Sequence, residues 1–329
     1  MTISGSFRTF YFTLIAALAL MAQPLAAAAD EITVAQWGGN SMFGAPFAVA
    51  LDKNLFKPEG IDITGIIGSA GGGTSVRNTF AGETPYGEAT LASALAAARE
   101  GIDLIIVNTG ARNVGDAYLV TMPNSDIKSV KDLEGKKVAI TSPKSASEML
   151  LQMTMKEKNV DATKVSIIAA GGYIPALTML EQGAVAASVN SDPLAVTRKN
   201  RYRVLYQASD ILPPMTVSVG ITSRAFANAH PEKLRAIIAG RRKAVDAIYA
   251  DPAVAVAALE KLWKLPPDVA KESVDNMIRT QMWSRGELNQ AELNRTAEGL
   301  RLVGELKEPV NWDKLLDRSF LPPDLQAIK

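Results

Sequence analysis

Cysteine is missing from the chain altogether. Its absence removes disulfides, thiolate metal sites and cysteine nucleophiles, together with the lipidated cysteine that tethers many exported proteins to a membrane. Histidine is reduced to His230 alone. That leaves the nucleophile–base pairs of hydrolytic chemistry short of a base. An excess of charge is missing too. Arg8 is the one charge in residues 1–29, and without it 34 basic residues face 34 acidic ones. No basic stripe points to nucleic acid or an anionic membrane. Neither phosphate-loop pattern occurs: no glycine is followed by Lys-Ser/Thr, and no GxGxxG spacing is present. Internal sequence repeats are absent.

What is present begins with an export signal. Arg8 precedes the apolar run Phe10–Ala22, and Pro24 and the small-residue tract Ala26–Ala29 follow. This is a secretory signal peptide cleaved before Asp30. The run is too short for the roughly 20 apolar residues of a membrane span. The mature protein, residues 30–329, is expected to be soluble outside the cytoplasm.

The stretch Gly68–Ser75, GSAGGGTS, joins an apolar β-branched run, Ile61–Ile67, to a helix expected from Val76. Its glycines lack the Cβ atoms that keep a ligand off the backbone. Thr74 and Ser75 can cap the helix, whose N-terminus would face an anionic group. A Gly-rich turn that only caps a helix explains the same residues. Around this stretch the chain alternates strand and helix, which argues for an α/β architecture. Strands are expected at Ile32–Trp37, Ile61–Ile67, Leu104–Asn108, Val138–Thr141, Val165–Ala169, Ala186–Asn190 and Val217–Ile221. From Pro231 onward amphipathic helices dominate, at Leu234–Tyr249, Pro252–Trp263, Asp268–Thr280 and Gln290–Leu306.

Five pieces occur in a telling order: FAVALDKNLFKPEGIDI, SVKDLEGKKVAI, DATKVSII, IPALTMLEQGAVAASVNSDP and SRAFANAHPEKLRAII. In order and spacing they resemble the nitrate/sulfonate/taurine-type solute-binding proteins, also called the NMT1/THI5-like group, over essentially the whole mature chain. The resemblance implies a type II periplasmic binding protein, with two α/β lobes joined by two crossing strands and a helical C-terminal tail. It places the crossings near Ala117–Pro123 and Val217–Ser223. The expected organisation is signal peptide 1–29, first lobe 30–120, second lobe 121–218, and 219–329 returning to the first lobe and forming the C-terminal helices. The implied function is the periplasmic substrate-binding component of an ABC importer, with an inner-membrane permease and its ATPase as partners. The implied ligand is a small organic anion: a sulfonate, a carboxylate or a related nitrogen- or sulfur-source solute. A monomer is expected, with no catalysis, cofactor or metal. A ligand-presenting sensory receptor, or an enzyme on the same fold, is the alternative; the family's pyrimidine-synthase branch uses histidine and cysteine chemistry that this composition lacks. One departure matters. Gly82 is followed by ETPYGEA and Gly183 by AVAAS, where the family carries acidic residues, so the ligand does not carry over.

Clefts in such folds are lined where strands end and helices begin. That rule selects Gln36, Trp37 and Phe43 after the first strand, and Ser69, Gly72, Thr74 and Ser75 after the second. It also selects Glu88 in Tyr86–Ala89, Ser142 and Ser145 (with Ser147) in the second lobe, and Asn190 and Asp192 at the end of its last strand. Hydroxyl-bearing helix starts, one per lobe, would clamp a small anion without a buried counter-charge. Each residue has a plainer role open to it. Trp37 serves as a cleft platform or as core packing, Ser142–Ser147 as clamp or cap, and Glu88 and Asp192 as acceptors for an amine or as turn residues. Arg112 pairs with a ligand anion or sits on the surface. His230 reads as a helix start, and Met149, Met153 and Met155 as helix packing.

Overall fold

The computed structural model describes residues 30–35, 41–69, 72–81 and 86–328. The proposed signal peptide, Gln36 and Trp37 lie outside the described residues, and of Ser69 and Gly72 only the backbone is described. Two five-stranded sheets carry the fold. The first contains β1 (Asp30–Ala35), β2 (Ile63–Ser69), β3 (Gly87–Thr90) and β4 (Leu104–Thr109). The second contains β5 (Ala117–Thr121), β6 (Lys137–Ile140), β7 (Ser166–Ala169), β8 (Ala187–Ser191) and β9 (Arg203–Gln207). β10 (Ser218–Ser223) returns to the first sheet. The orders are β2-β1-β3-β10-β4 and β7-β6-β8-β5-β9.

The two orders follow one plan. In each, three parallel strands are followed by an antiparallel strand that has arrived from the other lobe. β4 is buried along its whole length, as expected of a strand covered on both faces. Helices α1 (Ala45–Asp52), α2 (Gly72–Ala81) and α3 (Leu91–Arg99) serve the first sheet. α4 (Ala146–Glu157), α5 (Tyr173–Glu181) and α6 (Leu194–Thr197) serve the second. The tail then runs α7 (Arg224–Ala229), α8 (Pro231–Ala250), α9 (Ala253–Trp263), α10 (Pro267–Arg279) and α11 (Gln290–Leu302), ending in the short α12 (Trp312–Leu315) and α13 (Pro323–Gln326). α1 packs on α8 and α9, which joins the tail to the first lobe. No helix among the described residues is long and apolar enough to cross a membrane.

The crossings lie earlier than expected. Ala117–Thr121 is a ladder strand inside the second sheet, and Ser218–Ser223 one inside the first. The expected lobe boundary at 120 therefore falls within β5. The chain changes lobes at 110–116 and again at 208–217. These two segments run side by side, with Val217 N–H donating to Ala111 O at 2.8 Å and Met215 N–H to Arg112 O at 3.0 Å. A tail segment joins them: Ser284 N–H donates to Gly110 O at 2.9 Å and Arg112 N–H to Met282 O at 2.8 Å.

A buried ion pair fastens this junction. Arg241 of α8 is 1% exposed and Glu88 of β3 is 0% exposed. Arg241 Nε meets Glu88 Oε2 at 3.1 Å, while its two other nitrogens donate to Ser284 O and Gly110 O, each at 2.8 Å. Ser218 Oγ donates to Glu88 Oε1 at 2.8 Å and accepts from Ala111 N–H at 2.8 Å. Glu88, expected as a ligand acceptor, is thus committed inside the first lobe. A Cβ on Gly110 would collide with Glu88 and Ser218, so glycine is required there for the close approach.

Removing one partner of such a pair strands a buried charge. Arg241→Met should lower the unfolding free energy by about 3–5 kcal/mol, and adding Glu88→Leu should recover part of that loss. Urea unfolding checks both, and a loss under about 1 kcal/mol for Arg241→Met would contradict the role given to the pair.

Candidate functional site

A cavity of about 100 Å³ lies between the lobes, well beyond the liquid volume of one water, about 30 Å³. Its first-lobe wall is Phe43 and Thr90. Its floor is the junction, through Val114, Asp116 and Val217, and its second-lobe wall includes Ser147 and Leu150 of α4, Tyr173 of α5, and Asn190 and Ser191 of β8. Local structure explains several of these placements. Thr90 caps α3, accepting from Ser93 N–H at 3.2 Å, so its side chain stands at the strand–helix turn. Ser147 enters α4 after the cap Ser145, and its Oγ accepts from Thr141 N–H at 3.0 Å.

The site's electrostatics centre on Asp116, which is 7% exposed. Its Oδ2 accepts from Ser191 Oγ at 3.2 Å. Burial pushes its carboxyl up to about 6, and the Ser191 bond opposes that rise. Asp192 lies directly behind. Its Oδ2 accepts from Tyr118 Oη at 2.9 Å and from Asn276 Nδ2 at 3.0 Å, while Oδ1 is buried without a hydrogen-bond partner. Burial pushes this carboxyl up to about 7, against the two hydrogen bonds. The Tyr118 and Tyr173 hydroxyls are driven upward as well, first by burial and then by the neighbouring carboxylates. No Lys, Arg or His appears among the described residues lining the cavity.

Of the residues selected from sequence, the structure brings Phe43 and Asn190 to this cavity. Asp192 stands behind its wall, tying β5 and β8 to α10. Ser145 is the α4 cap, hydrogen-bonded to Thr141 and Ser147, and Ser142 is exposed on the turn before it. No described residue of Gly68–Ser75 lines the cavity. Gly72 opens α2, Thr74 Oγ1 accepts from Arg77 at 3.1 Å, and Ser75 is buried. Arg112 faces Glu287 at 3.4 Å and also pairs with Glu292, so neither of its expected roles applies. Met149 and Met153 pack under Gly299 of α11, as expected of helix packing. Sequence reasoning missed Asp116, Tyr118 and Thr90. The available signal was position: Asp116 immediately precedes the strand that follows a crossing, where the floor of a cleft must lie.

The model of the NMT1/THI5 like family matches residues 43–255, more than half of the chain, and the protein belongs to that family. A comparison with curated protein sequences finds no match. Among solved structures, the periplasmic aliphatic sulphonate binding protein SsuA from Escherichia coli is similar with a TM-score of 0.73 at 19% identity, over 88% of this chain and 92% of that one. The alkanesulfonate-binding protein SsuA from Xanthomonas axonopodis pv. citri, bound to MOPS, gives 0.70 at 18% over 89% and 99%. The periplasmic nitrate-binding protein NrtA from Synechocystis PCC 6803 gives 0.64 at 12% over 89% and 86%. At these identities the likeness is one of fold. The fold is that of the two-lobed periplasmic binding proteins.

The raised Asp116 carboxyl makes folding pH-dependent, with a definite sign. A group held near 6 in the fold against an ordinary 3.8 favours the folded state fully below about pH 4 and loses that contribution as pH rises through about 6. Asp116→Asn should therefore stabilise the ligand-free protein at pH 8, by on the order of 3 kcal/mol, and give no such gain at pH 4. Urea unfolding at the two pH values checks this, and an equal gain at both would contradict it.

Proposed function

We propose that the protein is the periplasmic solute-binding component of an ABC importer. It acts as a monomer that captures a small organic solute between its lobes and presents it to an inner-membrane permease with its ATPase. The observation that carries this reading is the cavity itself, which lies between two lobes, is floored by both crossing segments and is walled by side chains of each. Family membership and the binding-protein fold support it, as does the export signal read from residues 1–29.

Contacts across the lobes fit a machine that opens and closes. Lys144 at the start of α4 pairs with Glu305 after α11 at 3.3 Å, Lys199 pairs with Glu272 of α10, and Asn276 of α10 reaches Asp192. The two exposed ion pairs, Lys144–Glu305 and Lys199–Glu272, are each worth about 0–1 kcal/mol, weak enough to break when the lobes separate. Capture by closure needs no bond made or broken, so the solute should be released unchanged.

The sequence reading gives that solute as a small organic anion. The described wall offers such an anion no counter-charge, and the one charged side chain on it is the carboxylate of Asp116.

Mature protein passed through a low-molecular-weight cell extract, washed and denatured should release one solute in near-stoichiometric amount, chemically unchanged by mass spectrometry. Ala146→Trp places a large side chain at the exposed start of α4, on the cavity wall. It should abolish retention while leaving the melting temperature within a few degrees. Undiminished retention by Ala146→Trp, or release of a converted product, would count against the proposal.

A further inference from the structure

We propose, resting on the solute-binding reading, that the cleft selects its solute through a cationic nitrogen, a protonated amine or amidinium-type group on a small apolar or aromatic body, seated against Asp116. The argument begins with the buried acids. Glu88, Asp116, Asp192 and Glu292 are the buried carboxylates among the described residues. Glu88 is neutralised by Arg241 and Glu292 by Arg112. The two without a cation stand together at the cleft. Asp192 is supported there by Tyr118 and Asn276, whereas Asp116 has the Ser191 hydroxyl and its own backbone N–H and no charged partner. A buried carboxylate without a counter-charge is strongly disfavoured, and a cation entering the cavity would remove that penalty.

A second, independent observation is Asn190, which is 2% exposed and lines the same cavity. Its Oδ1 accepts from Ser191 N–H at 2.9 Å, and its Nδ2 donates to no described residue. The free donor would meet an acceptor oxygen or ring nitrogen of the solute. The remaining wall suits a cation's body. Phe43, Tyr118 and Tyr173 present aromatic rings, which attract cations over their faces, and Val114, Leu150 and Val189 supply apolar surface.

Among the described residues, the start of α4 and the basic side chains nearest the cleft are occupied elsewhere. The start of α4 is capped by Ser145, and the carboxylate of Glu148 already accepts from Lys144 N–H. Arg279 of α10 is held by Gln207 and Asp210 outside the cavity. Arg77 of α2 is exposed and turned onto Thr74. The stretches between 30 and 328 outside the described residues read QWGGN, AG and GETP, and none contains a basic residue.

The groups facing Asp116 are Asp192 at the end of β8, Tyr118 on β5 and Tyr173 on α5, with Arg279 reaching the far side of Tyr118. Cation binding requires Asp116 ionised, so affinity should fall as pH drops through about 6.

Calorimetric titration of the mature protein with benzylamine and n-butylamine, against benzoate, butyrate and butanesulfonate, tests the inference. At pH 8 the amines should bind and the matched anions should not. Asp116→Asn should weaken amine binding at least tenfold, and wild-type affinity should drop about tenfold at pH 5. Anion binding blocked by Ala146→Trp but untouched by Asp116→Asn would overturn the cation assignment while leaving the solute-binding reading in place. Amine binding that Ala146→Trp does not block would place the amine outside the cleft and count against both. Failure of every probe to bind would overturn the assignment.

Discussion

The Glu88–Arg241 pair lies where three distant parts of the chain meet. Glu88 belongs to the first sheet, Arg241 to the tail, and the groups they hold, Gly110 O, Ser218 Oγ and Ser284 O, belong to the first crossing, to the start of β10 where the second crossing ends, and to the tail segment beside them. Every hydrogen-bonding direction of the guanidinium that the structure describes goes to one of these elements. A charge pair this deep costs several kcal/mol in lost hydration, and only near-complete satisfaction makes it tolerable. That satisfaction depends on the crossings being in register, so the pair specifies where the hinge ribbon sits as much as it stabilises the lobe.

The cleft follows from that placement. With the ribbon fixed, Val114, Asp116 and Val217 become the floor, and the second lobe emerges from it through β5 with Tyr118 beside the cavity. Charge is handled in opposite ways on the two sides of the ribbon. Below it, in the first lobe, the buried acid is fully paired. Above it, Asp116 is kept buried without a cation, and Asp192 behind it retains an oxygen with no partner. A polar wall left incompletely satisfied is a poor way to stabilise a fold and a good way to prepare a binding site, because a solute completing the contacts is discriminated from one that does not.

Much of the architecture was legible in the sequence. The alternation of apolar β-branched runs with amphipathic segments gave seven strands close to their observed places, and the order of five short pieces gave the family. Two strands escaped, and a third, β5, was expected only as a crossing strand. β3 (GEAT) and β9 (RVLYQ) are short and themselves carry polar residues, and β5 reads as part of the crossing because the crossing runs directly into it. The site was less legible. Phe43 and Asn190, chosen because strand ends are where clefts form, line the cavity, but the same rule selected Glu88, whose partner lies 153 positions away. Arg241 itself leaves a trace: it interrupts the buried face of α8 formed by Leu234, Ile237, Ile238, Ala244 and Val245. Asp116 leaves only its position before the strand that follows a crossing, since an aspartate after glycine in a loop is ordinarily a turn residue, and the meeting of β5, β8 and the crossing makes it a cavity wall.

A crystal structure of the mature protein holding the solute it retains from a cell extract would test this picture most directly. The solute is expected between Phe43 and Tyr173, with a nitrogen within hydrogen-bonding distance of the Asp116 carboxylate and an acceptor facing Asn190. A solute seated elsewhere, such as the surface groove between Leu95, Ile102 and Leu315, with the interlobe cavity empty, would contradict it.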